Sequence, residues 1–169
     1  MDHQDSVSVP DRHDALPSRI VTTTKRRRER QQWNPDLGVL AARLLFRLQA
    51  ELFQRLAAAG YDDLRPRHGA VLAYLDEDGV RATELARLSG RHKQIVGRLV
   101  DELEELGYVE RRPDPADRRA KLIVPTRRGL EQLVLADEIV AGIESRHAEL
   151  AGRRTYGEFR EVMRRIAVG

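Results

Sequence analysis

Between positions 36 and 60, leucines recur at Leu37, Leu40, Leu44, Leu45, Leu48, Leu52 and Leu56, joined by Phe53. Steps of three and four residues put them on one face of a long helix. Asn34 or Asp36 supplies its cap, Pro35 stands near its first turn, and Gly60 ends it. A second helix is predicted over 66–75, with Val71, Leu72 and Leu75 inward, followed by the turn Asp76-Glu77-Asp78-Gly79. Residues 82–89 predict a short helix, Gly90 a turn, and 92–106 a longer helix stopped at Gly107. The period then changes. Tyr108–Arg112 and Lys121–Val124 read as short strands, and the seven residues 113–119 read as the loop of a hairpin. Thr126 caps a helix over 127–146 with Leu130, Leu133, Val134, Ile139, Val140 and Ile143 as its apolar positions. Beyond Gly152, Tyr156, Phe159, Val162, Met163 and Ile166 mark a last helix.

This order predicts a mainly α fold with a small β-wing, a winged helix-turn-helix. Residues 1–33 keep neither period and end in Lys25-Arg26-Arg27-Arg28-Glu29-Arg30, so they are expected to be a disordered basic tail. That run is either a solvated linker or an arm adding phosphate contacts.

Composition narrows the classes. The 169 residues suffice for one domain with a core. A net charge of +3 is too small to decide for nucleic acid, so placement of charge must. With no cysteine, disulfides, thiolate metal sites and thiol redox sensing are excluded. His3, His13, His68, His92 and His147 show no paired metal-ligand spacing, so neither metal nor cofactor is expected. No apolar run approaches the roughly 20 residues of a membrane span, and no secretory signal opens the chain, so a cytoplasmic location is expected. No Gly-rich phosphate loop or nucleophile–base pattern suggests an enzyme.

The helix over 92–106 carries the candidate chemistry. Ile95, Val96, Leu99, Val100, Leu103 and Leu106 form its apolar stripe. Arg91, His92, Lys93, Gln94 and Arg98 crowd its front, while Asp101, Glu102, Glu104 and Glu105 lie behind. The helix dipole favours the reverse order. Cations at the positive end imply an external anion, and phosphates and base edges fit. Gln94 suits an adenine edge, and Lys93 or Arg98 suits guanine or phosphate. His92 takes the N-cap position and can face phosphate. Gly97 is either tolerated or permits close approach to a groove. In the hairpin, Asp117 stands two residues from Arg119, placed to brace it for a narrow minor groove, with Arg112 and Arg118 flanking as phosphate contacts.

Three segments together resemble the multiple-antibiotic-resistance regulator (MarR) family. They are Thr83-Glu84-Leu85-Ala86, Lys93–Asp101 with Leu103–Arg111, and Asp114–Lys121 running into Leu122–Gly129. The likeness extends from about Asp36 to the C-terminus. It implies a homodimer built by the helix in 34–60 and those in 126–169, around a DNA-binding domain at 61–125. It implies Arg119 in the minor groove and Lys93, Gln94 and Arg98 at the major groove of a pseudo-palindromic duplex. It also implies a repressor released by a small aromatic or otherwise anionic ligand, for which Trp33, Arg43, Arg47, His68 and Tyr74 are candidates. The alternative is a winged-helix protein–protein interaction module that binds no DNA.

Overall fold

Asp36 starts the first long helix, α1 (Leu37–Ala58). Its Oδ1 accepts the Val39 N–H at 3.1 Å, and its carbonyl accepts the Leu40 N–H at 3.0 Å. These atoms belong to a computed structural model, which describes Arg26, Arg28, Glu29 and residues 31–168, with nothing described of the Arg118 and Val168 side chains. The expected tail at 1–33 therefore lies mostly outside the described residues; Gln31, Gln32 and Trp33 within it are helical. The chain forms two compact units, Met1–Leu44 and Leu45–Gly169.

In the first unit, Leu37, Leu40 and Leu44 of α1 are exposed, as is Trp33 before it. Asp36 also accepts a bond from Gln31, and Arg43 Nη2 donates to the Gln31 carbonyl at 3.3 Å.

In the second unit, a 3-10 turn (Pro66–His68) leads into the single-turn helix α2 (Gly69–Leu72), in place of the longer helix expected over 66–75. The residues that follow turn back into β1 (Val80–Arg81), a two-residue strand too short to leave a periodic signature. Helix α3 (Ala82–Ser89) ends at Gly90, whose φ of 62° is left-handed. There the Arg91 N–H reaches back to the Ala86 carbonyl at 3.1 Å and the chain enters α4 (Lys93–Glu105). Strands β2 (Val109–Asp114) and β3 (Asp117–Pro125) follow, then α5 (Arg127–Ala151) and α6 (Arg153–Val168).

The sheet has the order β1-β3-β2, antiparallel throughout. Val80 pairs with Ile123, and Arg111 pairs with Ile123 on the other side. The wing differs from expectation. Only Pro115 and Ala116 lie between the strands, where a seven-residue loop was expected, and the register is irregular at Pro113/Asp114. The reason is Asp114. Its side chain accepts the Ala116 N–H at 2.8 Å, and this local bond closes the turn early.

Leu85, Val96, Val100 and Leu103 of the helix pair meet Val71, Tyr108 and Ile123 in one buried cluster. Helix α5 is fixed to it at its start. The Thr126 hydroxyl accepts the Gly129 N–H at 3.1 Å and donates to the Gly107 carbonyl at 2.6 Å. A Cβ at Gly129 would collide with the Tyr108 carbonyl oxygen, so glycine is what permits the approach.

Candidate nucleic-acid interface

Helix α4 is amphipathic because its apolar residues recur at 96, 99, 100 and 103, and all four are buried. That orientation turns Gln94, Arg98 and Asp101 outward, and Arg91, His92 and Lys93 are exposed at the start. His92 is the N-cap, as its position suggested, with Nδ1 accepting the Gln94 N–H at a long 3.4 Å. Ile95 departs from the expected stripe. It is 48% exposed, because one residue before Val96 the helix has rotated it about 100° away from the core. A Cβ at Gly97 would meet nothing, so the chain's own packing does not require glycine there.

The acids at the rear of α4 are engaged within the fold. Arg111 of β2 is held by Asp101 at 2.5 Å and by Glu104, which ties the base of the wing to the helix. Glu102 receives Arg67 Nε at 2.9 Å and faces His68 Nε2 at 3.0 Å. The bond to His68, then that to Arg67, holds the Glu102 carboxyl below its usual range. By contrast, no carboxylate among the described residues pairs with Arg91, Lys93 or Arg98. The front cations of α4 are therefore available to an external anion.

The wing repeats the division. Asp114 is buried and takes Arg81 Nε of β1 at 2.7 Å. The Ala116 N–H, then Arg81, holds its carboxyl low. Asp117 Oδ1 accepts the backbone N–H of Arg119 at 3.0 Å, so its bond is to the main chain where a brace to the guanidinium was expected; two residues apart in a tight turn, the N–H is nearer. The Arg119 side chain is exposed and has no ion-pair partner among the described residues. Arg112 is paired with Glu110, its Nε at 2.8 Å. The Arg118 side chain lies outside what is described. The Arg81–Asp114 contact was not anticipated; only the Asp114-Pro115 turn hinted at a role for that acid.

Behind the interface, Tyr108 is wholly buried, donates to Asp63 at 2.5 Å and lies 4.5 Å beneath the Arg128 guanidinium. Burial, then the hydrogen bond to Asp63, pushes the Tyr108 hydroxyl far up. Burial alone would raise Asp63, but Tyr108 and Arg128 outweigh it and hold the carboxyl low. Asp63, Glu102 and Asp114 thus all have folded values below their unfolded ones. The stability they lend is complete above the unfolded carboxylate value near pH 4 and is lost as pH falls from there through the lower folded values. Thermal melts are expected to hold a level midpoint near neutrality and drop below about pH 4, with Asp114→Asn flattening that drop.

The residues expected to hold a ligand are divided between the two units. Trp33, 82% exposed, and Arg43 belong to the first unit. In the second, Arg47 lines a shallow groove with Gln54 and Arg55 of its own helix, and Tyr74 is exposed. His68 is buried, its Nδ1 accepting the Arg65 N–H at 3.1 Å. The second unit has a cavity of about 540 Å³ bounded by α1, α2 and α5, and none of these three lines it. Among the described residues, no cluster of His, Asp or Glu fits a metal ion, and no helix is long and apolar enough to cross a membrane.

A MarR family model matches residues 62–120, from the 3-10 turn through the wing tip. A MarR-family transcriptional regulator from Rhodococcus sp. RHA1 is 30% identical; the alignment covers 80% of this chain and 94% of that one, with a TM-score of 0.65. CouR from Rhodococcus jostii RHA1, bound to p-coumaroyl-CoA, is 31% identical over 78% of this chain and 92% of its own, with a TM-score of 0.65. The repressor CouR on a 23-mer DNA duplex aligns at 28% identity over 82% and 96%, with a TM-score of 0.66. No curated protein sequence matches the chain.

Proposed function

This chain belongs to the MarR family, and from that premise we propose that it is a homodimeric, sequence-specific DNA-binding repressor released by a small molecule. The observation that carries the reading is the division of charge on α4 and the wing. Every rear acid of α4 except Glu105 has a partner within the fold, whereas Arg91, Lys93, Arg98 and Arg119 have none among the described residues. Unpaired cations beside an exposed Gln94 suit phosphates and base edges.

In this reading Lys93, Gln94 and Arg98 enter the major groove, with Arg91 and His92 at its phosphates. Arg119 reaches the minor groove from a turn shaped by Asp117. Arg112 and Arg118 flank it along the backbone. CouR bound to a duplex supports the comparison. The exposed apolar residues Leu37, Leu40 and Leu44, and separately Phe159, Val162 and Ile166, suit burial against a second copy. CouR bound to p-coumaroyl-CoA supports release by a ligand. A DNA-binding regulator without a membrane segment would work in the cytoplasm.

Binding of the purified chain to genomic duplex fragments, titrated with salt, tests this directly. Log affinity should fall linearly with log salt, with a slope near −0.9 per neutralised phosphate. Failure to bind any duplex at low salt would favour the protein-interaction module instead.

A further inference from the structure

The cavity bounded by α1, α2 and α5 has apolar walls and no cationic side chain among the described residues that line it. At about 540 Å³, it lies within the roughly 300–1,000 Å³ that accommodates drug-sized molecules. Its walls are chiefly apolar, with Leu52, Phe53, Leu72 and Leu133 among them. Two uncharged polar side chains interrupt that surface, the half-buried Gln49 and the buried Gln132. Gln132 is 2% exposed and lines the cavity, and its Oε1 has no hydrogen-bond partner among the described residues. A buried carbonyl left unpaired is costly, and native folds seldom keep one without a use. Among the described residues, the charged ones that line the cavity are Asp76, Glu77 and Asp137, and no Lys, Arg or His does. All three acids are exposed, which puts them where the cavity opens to solvent.

We propose that this cavity binds a neutral, largely apolar molecule carrying a hydroxyl group, which bonds to the Gln132 carboxamide, and that its acidic mouth disfavours carboxylates. The inference rests on the ligand-responsive reading above and names the ligand class within it. A hydroxyl both donates and accepts, so it satisfies the amide in either orientation. A carboxylate would leave water with no cation to receive it and with three like charges at the entrance. Helix α2 begins at Gly69, directly after His68, which contacts Glu102 on α4. A molecule seated against Gly69 and Leu72 therefore pushes on the segment that touches the recognition helix.

Calorimetric titration of the full chain with 2-naphthol, 2-naphthoate and 2-methylnaphthalene separates the possibilities. 2-Naphthol is expected to bind at least on the order of tenfold more tightly than either of the others. Gln132→Leu should remove its advantage over 2-methylnaphthalene while leaving the hydrocarbon's affinity unchanged. Asp137→Asn combined with Glu77→Gln should narrow the deficit of 2-naphthoate. Equal or tighter binding of 2-naphthoate, a hydroxyl advantage that survives Gln132→Leu, or no binding of any of the three overturns the inference. DNA affinity measured on the same preparation keeps the two readings apart. Intact DNA binding with a failed titration sinks only the ligand class, and lost DNA binding sinks the regulator.

Discussion

Arg119→Ala is expected to weaken binding to the operator on the order of a hundredfold while leaving the proposed dimer intact. The side chain sits at the wing, exposed and unpaired, and no packing depends on it. A groove contact of this kind is worth about 1–3 kcal/mol, and a dimer loses two of them at once. Each 1.4 kcal/mol is about tenfold. Arg112→Ala is the internal control. Its guanidinium is already held by Glu110, so its release to DNA is partly offset and the loss should be smaller. Sedimentation of both variants as wild-type dimers, with anisotropy titrations on one duplex, completes the comparison. An Arg119→Ala protein that binds as tightly as wild type would remove the wing from the interface.

If the chain is the homodimer proposed above, Phe159→Asp combined with Val162→Asp should yield a monomer whose duplex affinity is lower by on the order of a thousandfold. Both residues lie on α6, 43% and 49% exposed, three positions apart and so on one helical face. Two carboxylates there would be desolvated in any interface between copies. Pairing of two half-site readers multiplies affinity by about 10²–10⁴ through effective concentration, and monomerisation forfeits that factor. Their exposure within one chain means the substitutions leave the winged core packed, which far-UV circular dichroism would check. A double variant that remains dimeric would place the contact elsewhere.

Much of this was legible in the sequence, and the failures have identifiable causes. Helices α3 and α4 were read to within a residue because their caps and apolar spacing agree: Gly90 turns the chain, His92 caps α4 and Gly107 follows its end. Strand β1 was missed because two residues carry no period. Pro113, Asp114 and Pro115 suggest a longer loop, whereas the Asp114 carboxylate closes a two-residue turn and anchors to Arg81. Apolarity alone points Ile95 inward, yet its phase on the helix turns it to solvent.

The ligand candidates show the limit more sharply. Side-chain chemistry alone points to Arg47 and Tyr74, but only packing determines which side chains line the cavity of the second unit, and neither does. Gln132 did leave a trace. It sits on the face of α5 marked by Gly129, Ala136, Ile139 and Ile143, where a buried amide is out of place. An isolated polar residue in an apolar register is a weak signal in sequence and a strong one once the cavity is seen.

Footprinting of the purified protein across its source genome is the most direct test of the central claim, that the unpaired cations of α4 and the wing serve a two-fold reading of duplex DNA. The account predicts discrete protected sites that are pseudo-palindromic, with half-sites roughly 10 bp apart centre to centre, and protection that vanishes in the Arg119→Ala protein. Uniform protection without symmetric sites, or none at low salt, would contradict it.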